Sequence, residues 1–342
     1  MKHKIFFTIL VLILISCTQD EKIIDNSKET WNILIATDNT QLKILEMPSG
    51  KLSGEDIYFA NNGEMLPGKV ETIKEFRDTI YLIIPSAYKI IVVDSKKFKK
   101  ITVIDFSTEG KIPSDICFPN ATDGYVCHGN DSTVTLIDLT NFIKARVIKT
   151  GRNPISIACC GNKIFTANRG DNTVSIIDSR IPDVVATLPV ADNPAFSACN
   201  NGWNAAIISL GAGKDGDLKP KSEAKITFID LVKFTIISSL DIGFGALKAI
   251  DQVPSGLAIT PDNIGFIPTN NAFFRLDTRL QERMQMLSYT KILMINYNYK
   301  RNELLLVRTD GEGYQVVVSD IFTGKDKFVV DVTEKIISYL AL

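Results

Sequence analysis

The feature that most constrains this chain is a short motif that occurs seven times, in which an apolar run ends on an acidic residue. Neighbouring acids are 48, 44, 40, 52, 47 and 43 residues apart. Self-similarity at this period is typical of arrays in which each repeat is one small structural unit. The seven copies are LKILE, IIVVD, VTLID, VSIID, ITFID, FFRLD and VVVSD, which end at Glu46, Asp94, Asp138, Asp178, Asp230, Asp277 and Asp320.

One period, the one that begins at Pro154, contains four short apolar runs. They are ISIAC, KIFTAN, TVSIID and VVATLPV, which are rich in β-branched residues and are separated by Gly, Asn, Asp and Pro. A four-stranded sheet cannot bury both of its faces alone, so seven such sheets must pack side by side. The sequence therefore predicts an all-β fold, a seven-bladed β-propeller of four-stranded antiparallel blades. Pro113, Pro154, Pro194 and Pro254 each open a period, where a strand can begin without a backbone N–H.

The acid that ends each motif has a local explanation. At the end of a strand, its side chain can accept hydrogen bonds from backbone N–H groups of the following turn. A metal-binding role is disfavoured, because seven such acids would lie at the corners of separate blades.

The two ends of the body predict how the ring closes. WNILIATD, residues 31–38, matches the second strand of a blade, and residues 303–330 complete the last three strands of the seventh blade. The remaining tail, residues 334–342, is then expected to supply the inner strand of the first blade. The propeller would span residues 31–342 as one domain.

The first residues are expected to lie outside the fold. A basic start and an apolar run over residues 5–15 are typical of a signal peptide, here assigned to residues 1–16. The following LISC resembles a bacterial lipobox, which implies lipidation of Cys17; an ordinary signal peptide that contains a cysteine is the alternative. Residues 17–30 are polar and predict a flexible tether. Asp20 and Glu21 resemble the surface-export signal of Bacteroidetes lipoproteins, so the chain is predicted to be an outer-membrane lipoprotein of the cell envelope, facing the periplasm or the exterior.

The period that begins near Pro154 also resembles a known repeat. Ala167 and Asn168, followed by NTVSIID at residues 172–178, are similar to the repeat of the YVTN-type seven-bladed propellers. The resemblance to the repeat architecture of this family extends over residues 31–342, and the sequence itself matches the repeat closely in about two copies. It implies the fold, whereas propellers serve many functions.

The strand order predicts which loops share one face of the propeller. Turns from second to third strands and links from fourth to first strands lie on the same side, which we call the top face. The longest are the insertions at residues 210–223 and 243–253, and long loops on a rigid scaffold are frequent binding sites. Alternatively, the insertions are mobile loops without a binding function, and each candidate residue named below is a solvent-exposed turn residue. The ligand-binding candidates on this face are Tyr88, His128, Asn130, Arg169, Asp171, Lys214, Asp215, Asp217, Phe244, Asn270, Phe273 and Tyr314.

Several kinds of chemistry are excluded by residues that are missing. With 38 basic and 39 acidic residues the net charge is −1, so nucleic acid is a poor candidate partner. His3 falls in the predicted signal peptide and leaves His128 alone, which excludes metal centres built on several imidazoles. Asp215 and Asp217 lack the spacing of a calcium-binding EF-hand loop. The sequence predicts no catalytic residue, no metal and no cofactor.

Five cysteines remain after Cys17. Cys117, Cys159 and Cys199 occupy similar places in three consecutive periods and are expected to be buried free thiols. A Cys117–Cys127 disulfide within one hairpin is the alternative, and Cys160 is left without an assignment.

Two function classes follow. The first is a monomeric, non-enzymatic lipoprotein that binds a small molecule through its top face, as an accessory of an outer-membrane transporter. The resemblance implies corrinoids as a ligand class to test, because cobalamin-capturing surface lipoproteins are propellers of this kind. The second class is an interaction or adhesion module that binds an envelope protein. A lactonase-type hydrolase is the least favoured interpretation.

Overall fold

The computed structural model describes residues 29–200, 204–212, 222–243, 253–270, 272–288, 291–309 and 311–342. Within these residues, seven four-stranded antiparallel sheets form a ring, so the predicted seven-bladed β-propeller is confirmed. Helix is almost absent, and the described α-helix α1 (Ile57–Asn62) lies in the connection between the first two blades.

Each blade runs from an inner strand, beside the central axis, to an outer strand at the rim. Blade 1 consists, in that order, of β28 (Ile336–Ala341), β1 (Trp31–Thr37), β2 (Leu42–Met47) and β3 (Lys51–Leu52), and blade 2 of β4 (Thr72–Phe76), β5 (Thr79–Ile84), β6 (Lys89–Asp94) and β7 (Lys100–Asp105). Blade 3 consists of β8 (Pro113–Cys117), β9 (Asp123–His128), β10 (Thr133–Asp138) and β11 (Ile143–Lys149), and blade 4 of β12 (Pro154–Cys160), β13 (Lys163–Asn168), β14 (Thr173–Asp178) and β15 (Asp183–Pro189). Blade 5 consists of β16 (Pro194–Cys199), β17 (Asn204–Ser209), β18 (Lys225–Asp230) and β19 (Thr235–Asp241), and blade 6 of β20 (Ala258–Ile259), β21 (Ile264–Pro268), β22 (Ala272–Asp277) and β23 (Glu282–Ser288). Blade 7 consists of β24 (Ile292–Asn298), β25 (Glu303–Thr309), β26 (Tyr314–Asp320) and β27 (Asp326–Val332).

The core is a ring of apolar clusters, each of which fills the space between two adjacent blades. The second and third strands of a blade are covered on both faces, so β5 and β6 are almost continuously apolar and buried. Ile83 and Val92 of blade 2, for example, pack with Val126 and Ile137 of blade 3. Outer strands have one solvent-facing edge and are mostly exposed, as in β11. A blade therefore depends on its neighbours for most of its apolar burial.

The predicted role of the repeated acid is confirmed in the aspartates of blades 2 to 7. Asp94 accepts hydrogen bonds from the backbone N–H groups of Lys96 and Lys97 at 2.9 and 2.7 Å. These backbone hydrogen bonds hold the pKa of the Asp94 carboxyl below its usual range. The same contact to the following turn is made by Asp138, Asp178, Asp230, Asp277 and Asp320. Glu46 differs, since it accepts from the Ser49 hydroxyl instead.

The predicted closure of the ring is also confirmed. β28 pairs antiparallel with β1, with Ile33 opposite Ala341 and Ile35 opposite Tyr339. Ser338 donates to the carbonyl of Val70 in the connection to blade 2, and the Tyr339 hydroxyl donates to the carbonyl of Leu305 in blade 7. The C-terminal strand thus joins three blades.

The cysteines depart from the sequence-based expectation at one position. Cys199 is not a free thiol: it forms a disulfide with Cys160, with a Cα–Cα distance of 5.5 Å. The two residues lie on the inner strands of adjacent blades, so the link is between blades, whereas the hairpin alternative placed a bridge within one blade. Cys117, Cys127 and Cys159 are free, as expected for Cys117 and Cys159.

Candidate functional site

The central channel holds a cavity lined by described residues of several blades. It has a volume of about 420 Å³ and is bordered by β4, β24 and β28, together with Phe196 of β16 and residues 255–257. Elsewhere in the ring, the inner strands of blades 3 to 5 are joined to one another. There the Cys160–Cys199 disulfide and a 2.7 Å hydrogen bond between the Ser156 and Ser197 hydroxyls link blade 4 to blade 5.

An ion pair crosses the channel wall between blades 2 and 3. Lys74 Nζ of β4 lies 3.3 Å from Asp115 Oδ1 of β8. The Asp115 carboxylate also accepts from the backbone N–H of Ile116, and from that of Ile157 in blade 4. Because of the nearby Asp115 charge, the pKa of Lys74 is raised above its usual value, so the lysine remains a cation in the channel.

A second ion pair borders the same cavity. Glu75, the residue after Lys74, accepts from Lys300 Nζ at 3.0 Å, and Lys300 follows β24 in blade 7. The Glu75 side chain keeps 11% of its surface exposed, which places this carboxylate largely inside the wall. Phe196 and Tyr297 add aromatic surface to the cavity lining. The channel therefore combines fixed charges of both signs with apolar rings, a composition suited to a polar organic ligand.

The described top-face candidates lie in the turns between second and third strands or in the strand ends that flank them. Three of them bridge the turn to the link that enters the same blade. Asn130 Oδ1 accepts from the backbone N–H of Ile112 at 2.8 Å, and Asn270 Oδ1 accepts from Val253 N at 3.2 Å. Asp171 Oδ2 accepts from Arg152 N at 2.9 Å. These bonds join each candidate to its own blade and give it a structural function.

Two of the top-face candidates are buried and are not exposed to solvent. Phe273 is 1% exposed and stacks on Phe266 in the cluster between blades 6 and 7. His128 is fully buried at the end of β9, where Nε2 lies 2.8 Å from Thr135 Oγ1 and the ring meets Phe106 edge to face. Neither side chain reaches the surface of the top face, because His128 at the end of a second strand and Phe273 at the start of a third strand still lie between neighbouring blades.

Burial lowers the pKa of His128 to about 4, and the positive charge of Lys111 contributes in the same direction. Asp131 and Glu109 oppose this shift. The folded pKa thus lies below the usual value for an unfolded chain, about 6.5. The unfolded state binds the extra proton first, so stability falls as the pH decreases from 6.5 towards 4.

We expect His128 to reduce the free energy of unfolding by up to about 3 kcal/mol between pH 7 and pH 4. Asn168 occupies the same position in blade 4 and donates to Ser175, so His128→Asn should be accepted by the fold. Urea unfolding of both proteins at several pH values measures the effect. In the variant, the free energy of unfolding should change much less between pH 6.5 and pH 4 than in the wild-type protein. If the pH dependence is unchanged, it arises from other titrating groups.

The remaining described candidates belong to three separate blades. Tyr88 has a left-handed backbone with φ of 59° and packs against the cluster between blades 2 and 3. Tyr314 begins β26 opposite Thr309 and is half-buried. Arg169 is exposed, and its backbone N–H donates to the carbonyl of Asn153. The ligand-binding role of all these candidates remains a prediction.

Cys17 and the candidates Lys214, Asp215, Asp217 and Phe244 lie outside the described residues. The base of the first insertion is described, however. Ser222 donates to Asp192 at 2.6 Å and accepts from the backbone N–H of Ala212 at 2.7 Å. The insertion therefore starts and ends beside the link that enters blade 5.

Sequence reasoning missed the channel pairs. Their signal is a charged residue inside a short inner strand, as in TIKEF of β4 and PSDIC of β8. In blade 2 no proline marks the start of the inner strand, so the sequence did not predict that Lys74 and Glu75 lie in an inner strand.

In the described ranges, no helix is both long and apolar enough to cross a membrane. The same ranges contain no group of three or more His, Cys, Asp or Glu side chains placed to hold a metal ion.

The ring and its channel define the class of the protein, a seven-bladed β-propeller with an ion-paired central cavity. Residues 37–293 match the family described as Domain of unknown function (DUF5074). The chain belongs to this family.

Solved structures of several proteins share the fold at low sequence identity. A quinonprotein alcohol dehydrogenase-like protein from Bacteroides thetaiotaomicron is 16% identical, with a TM-score of 0.65 over 91% of this chain and 78% of that chain. Hydrazine synthase from Kuenenia stuttgartiensis is 15% identical, with a TM-score of 0.62 over 86% and 90% of the two chains. The Pan2 WD40 domain from Neurospora crassa is 12% identical, with a TM-score of 0.59 over 84% and 81%. These similarities show the fold alone, and no curated protein matches the sequence.

Proposed function

We propose that this protein is a non-enzymatic lipoprotein of the cell envelope, anchored through Cys17, that binds a small polar organic molecule at its central channel and top face. The observation that carries the proposal is the channel cavity of about 420 Å³, whose lining includes Lys74 and Glu75. Each of the two is held in an ion pair, Lys74 with Asp115 and Glu75 with Lys300. A concave, partly apolar site with a few convergent polar groups is the usual form of a ligand pocket.

The size of the cavity limits what can enter it. Its volume is at the lower end of the range for pockets that enclose drug-sized ligands, roughly 300–1,000 Å³. A small molecule with both donor and acceptor groups fits beside the two ion pairs. A corrinoid is larger, so it would rest on the top rim near the two insertions, and the protein would then serve as the capture accessory of an outer-membrane transporter.

The non-enzymatic part of the proposal is supported by the residues around the cavity. The lining contains no histidine or cysteine in its described part, and Lys74 and Glu75 are each held in an ion pair. His128, the histidine of the propeller, is buried between blades and hydrogen-bonded to Thr135. This arrangement suits binding better than proton transfer.

A thermal-shift screen of small polar molecules and corrinoids tests the proposal. A ligand at about 100 times its Kd stabilises the folded protein by about 2.7 kcal/mol. For a channel ligand, Lys74→Met together with Glu75→Gln should abolish the shift. Lys225→Met is the matched control, because Lys225 forms an ion pair with Asp241 on the outer part of blade 5, away from the channel.

The pattern of losses identifies the site. A rim-bound ligand should keep its shift in the channel variant and lose it when Phe244 is replaced and residues 214–219 are deleted. If both changes leave the full shift, the proposed binding site is wrong. If no small molecule gives a shift, the interaction or adhesion module becomes the better assignment.

A further inference from the structure

The five most exposed large apolar side chains of the described residues all lie at one end of the propeller. They are between 58% and 71% exposed, and we call them the apolar arc: Ile181, Val232, Leu280, Tyr299 and Phe322. Single exposed apolar residues are common on proteins, and what distinguishes these five is that they lie in turns at the same end of the propeller.

The repeat explains why these side chains share a face. Ile181, Val232, Leu280 and Phe322 follow the terminal aspartates of blades 4, 5, 6 and 7, each in the turn from the third to the fourth strand. Tyr299 lies in the turn from the first to the second strand of blade 7. Because strands alternate in direction, both kinds of turn lie on the side opposite the top face, which we call the bottom face.

The corresponding positions of the first three blades are mostly polar. The apolar residues of blades 4 to 7 stand two or three residues after the terminal aspartate, where blade 1 has Pro48 and Ser49, and blades 2 and 3 have only polar residues, Lys96, Lys97, Thr140 and Asn141. The bottom face is therefore divided, and the apolar arc covers four consecutive blades of the ring.

A basic residue stands next to most members of the arc. Arg180 precedes Ile181, Lys233 follows Val232, and Arg279 and Lys300 adjoin Leu280 and Tyr299. Arg180 and Lys233 keep 71% and 77% of their side-chain surface exposed, although each contacts the aspartate of its own turn. Apolar side chains beside exposed cations are the composition of surfaces that bind anionic membranes.

The N-terminal side of the chain reaches the same face. β1 is a second strand and begins at Trp31, opposite Met47, so residues before Trp31 approach from the bottom. Glu29 lies 3.6 Å from Arg301, two residues after Tyr299. The root of the tether is thus beside the apolar arc.

We propose that the apolar arc docks on the lipid surface to which Cys17 is anchored, with its apolar tips in the headgroup region and its basic neighbours at anionic headgroups. The inference rests on the lipid anchor of the proposed function. The chain between Cys17 and Trp31 spans at most about 50 Å when extended, which limits how far the bottom face can lie from the bilayer. The top face then points away from the membrane, whereas the channel cavity has Tyr299 of the arc in its lining and so reaches the docked face.

The experiment uses the full acylated chain on vesicles of phosphatidylethanolamine and phosphatidylglycerol with brominated acyl chains, which quench tryptophan on contact. Probes are introduced by Val232→Trp and Phe322→Trp on the bottom face. Thr108→Trp is the matched control, because Thr108 is exposed in a link on the top face. The native Trp31 and Trp203 are common to all variants, so differences between variants report the new side chains.

We expect quenching of the probes at positions 232 and 322 and none at position 108. Adding Ile181→Asp and Leu280→Asp should remove the quenching at position 322, while the melting temperature stays unchanged because both positions are exposed. Bottom-face probes that are quenched no more than the control, at vesicle excess, overturn the docking. Probes that become shielded only when outer-membrane proteins are added, without lipid contact, also overturn it and assign the arc to a protein partner.

Anchoring is measured separately, as flotation of the chain with the vesicles. A chain that fails to float refutes the anchor of the proposed function. A chain that floats with unquenched tips refutes only the docking.

Discussion

A chain that lacks residues 336–342 is expected to lose its native ring, which is the largest effect predicted for this protein. β28 is the inner strand of blade 1, and its removal exposes the pairing edge of β1. Ile336 and Tyr339 are 3% and 6% exposed, and burial of each large apolar side chain contributes about 1.5–3 kcal/mol. With the lost strand pairing, the total approaches the net stability of a whole domain, about 5–15 kcal/mol.

The measurement is thermal unfolding by circular dichroism together with size-exclusion chromatography. The truncated chain should melt without a cooperative transition, or aggregate through the open edge of β1. Tyr339→Phe is the matched control, since it keeps the strand and removes only the hydrogen bond to Leu305. That variant should lose about 1 kcal/mol and remain monomeric. A truncated protein that melts like the full chain would show that β28 does not hold the ring together.

Removal of the Cys160–Cys199 disulfide is expected to cost about 4 kcal/mol, because the bond closes a loop with a sequence separation of 39 residues. The link also ties the inner strands of blades 4 and 5, so blade separation should begin there when it is absent. Cys160→Ala and Cys199→Ala should lower the midpoint of urea unfolding to the same extent. The double variant should lose no more than either single variant.

Cys159→Ala is the control for the disulfide, because Cys159 is the neighbour of Cys160 and is a free thiol. It should lower the free energy of unfolding by no more than about 1 kcal/mol, as expected when a small side-chain group is removed. A reducing agent should destabilise the wild-type protein and this control, and leave the Cys160→Ala variant unchanged. If reduction has no effect on the wild type, the two cysteines are not bonded in solution.

Much of the fold was predictable because each repeat carries its own local signals. The acid that ends VTLID or VSIID accepts a hydrogen bond from the backbone N–H two residues later, so the turn can be inferred from the sequence alone. Ring closure was predictable for a related reason. The first blade lacked an inner strand and the tail was left over, and β28 fills that position beside β1.

The site was less predictable, because its residues come from different blades. Asp115 and Lys74 are far apart in the chain and meet only because the inner strands of blades 2 and 3 lie side by side. His128 and Phe273 were predicted to be exposed on the top face because they lie near turns. Both are buried between blades, and this burial depends on how whole sheets pack against each other. The Cys160–Cys199 pairing likewise depends on the offset between two neighbouring inner strands.

By itself the sequence determined the number of blades, the turns that begin after each acid, and the strand that closes the ring, because these follow from period and short-range hydrogen bonding. Tertiary structure alone decided which charges line the channel, which cysteines bond, and which apolar turns form one arc. Those features depend on distances between residues from separate blades, and such distances are fixed only when the apolar clusters bring the sheets into contact.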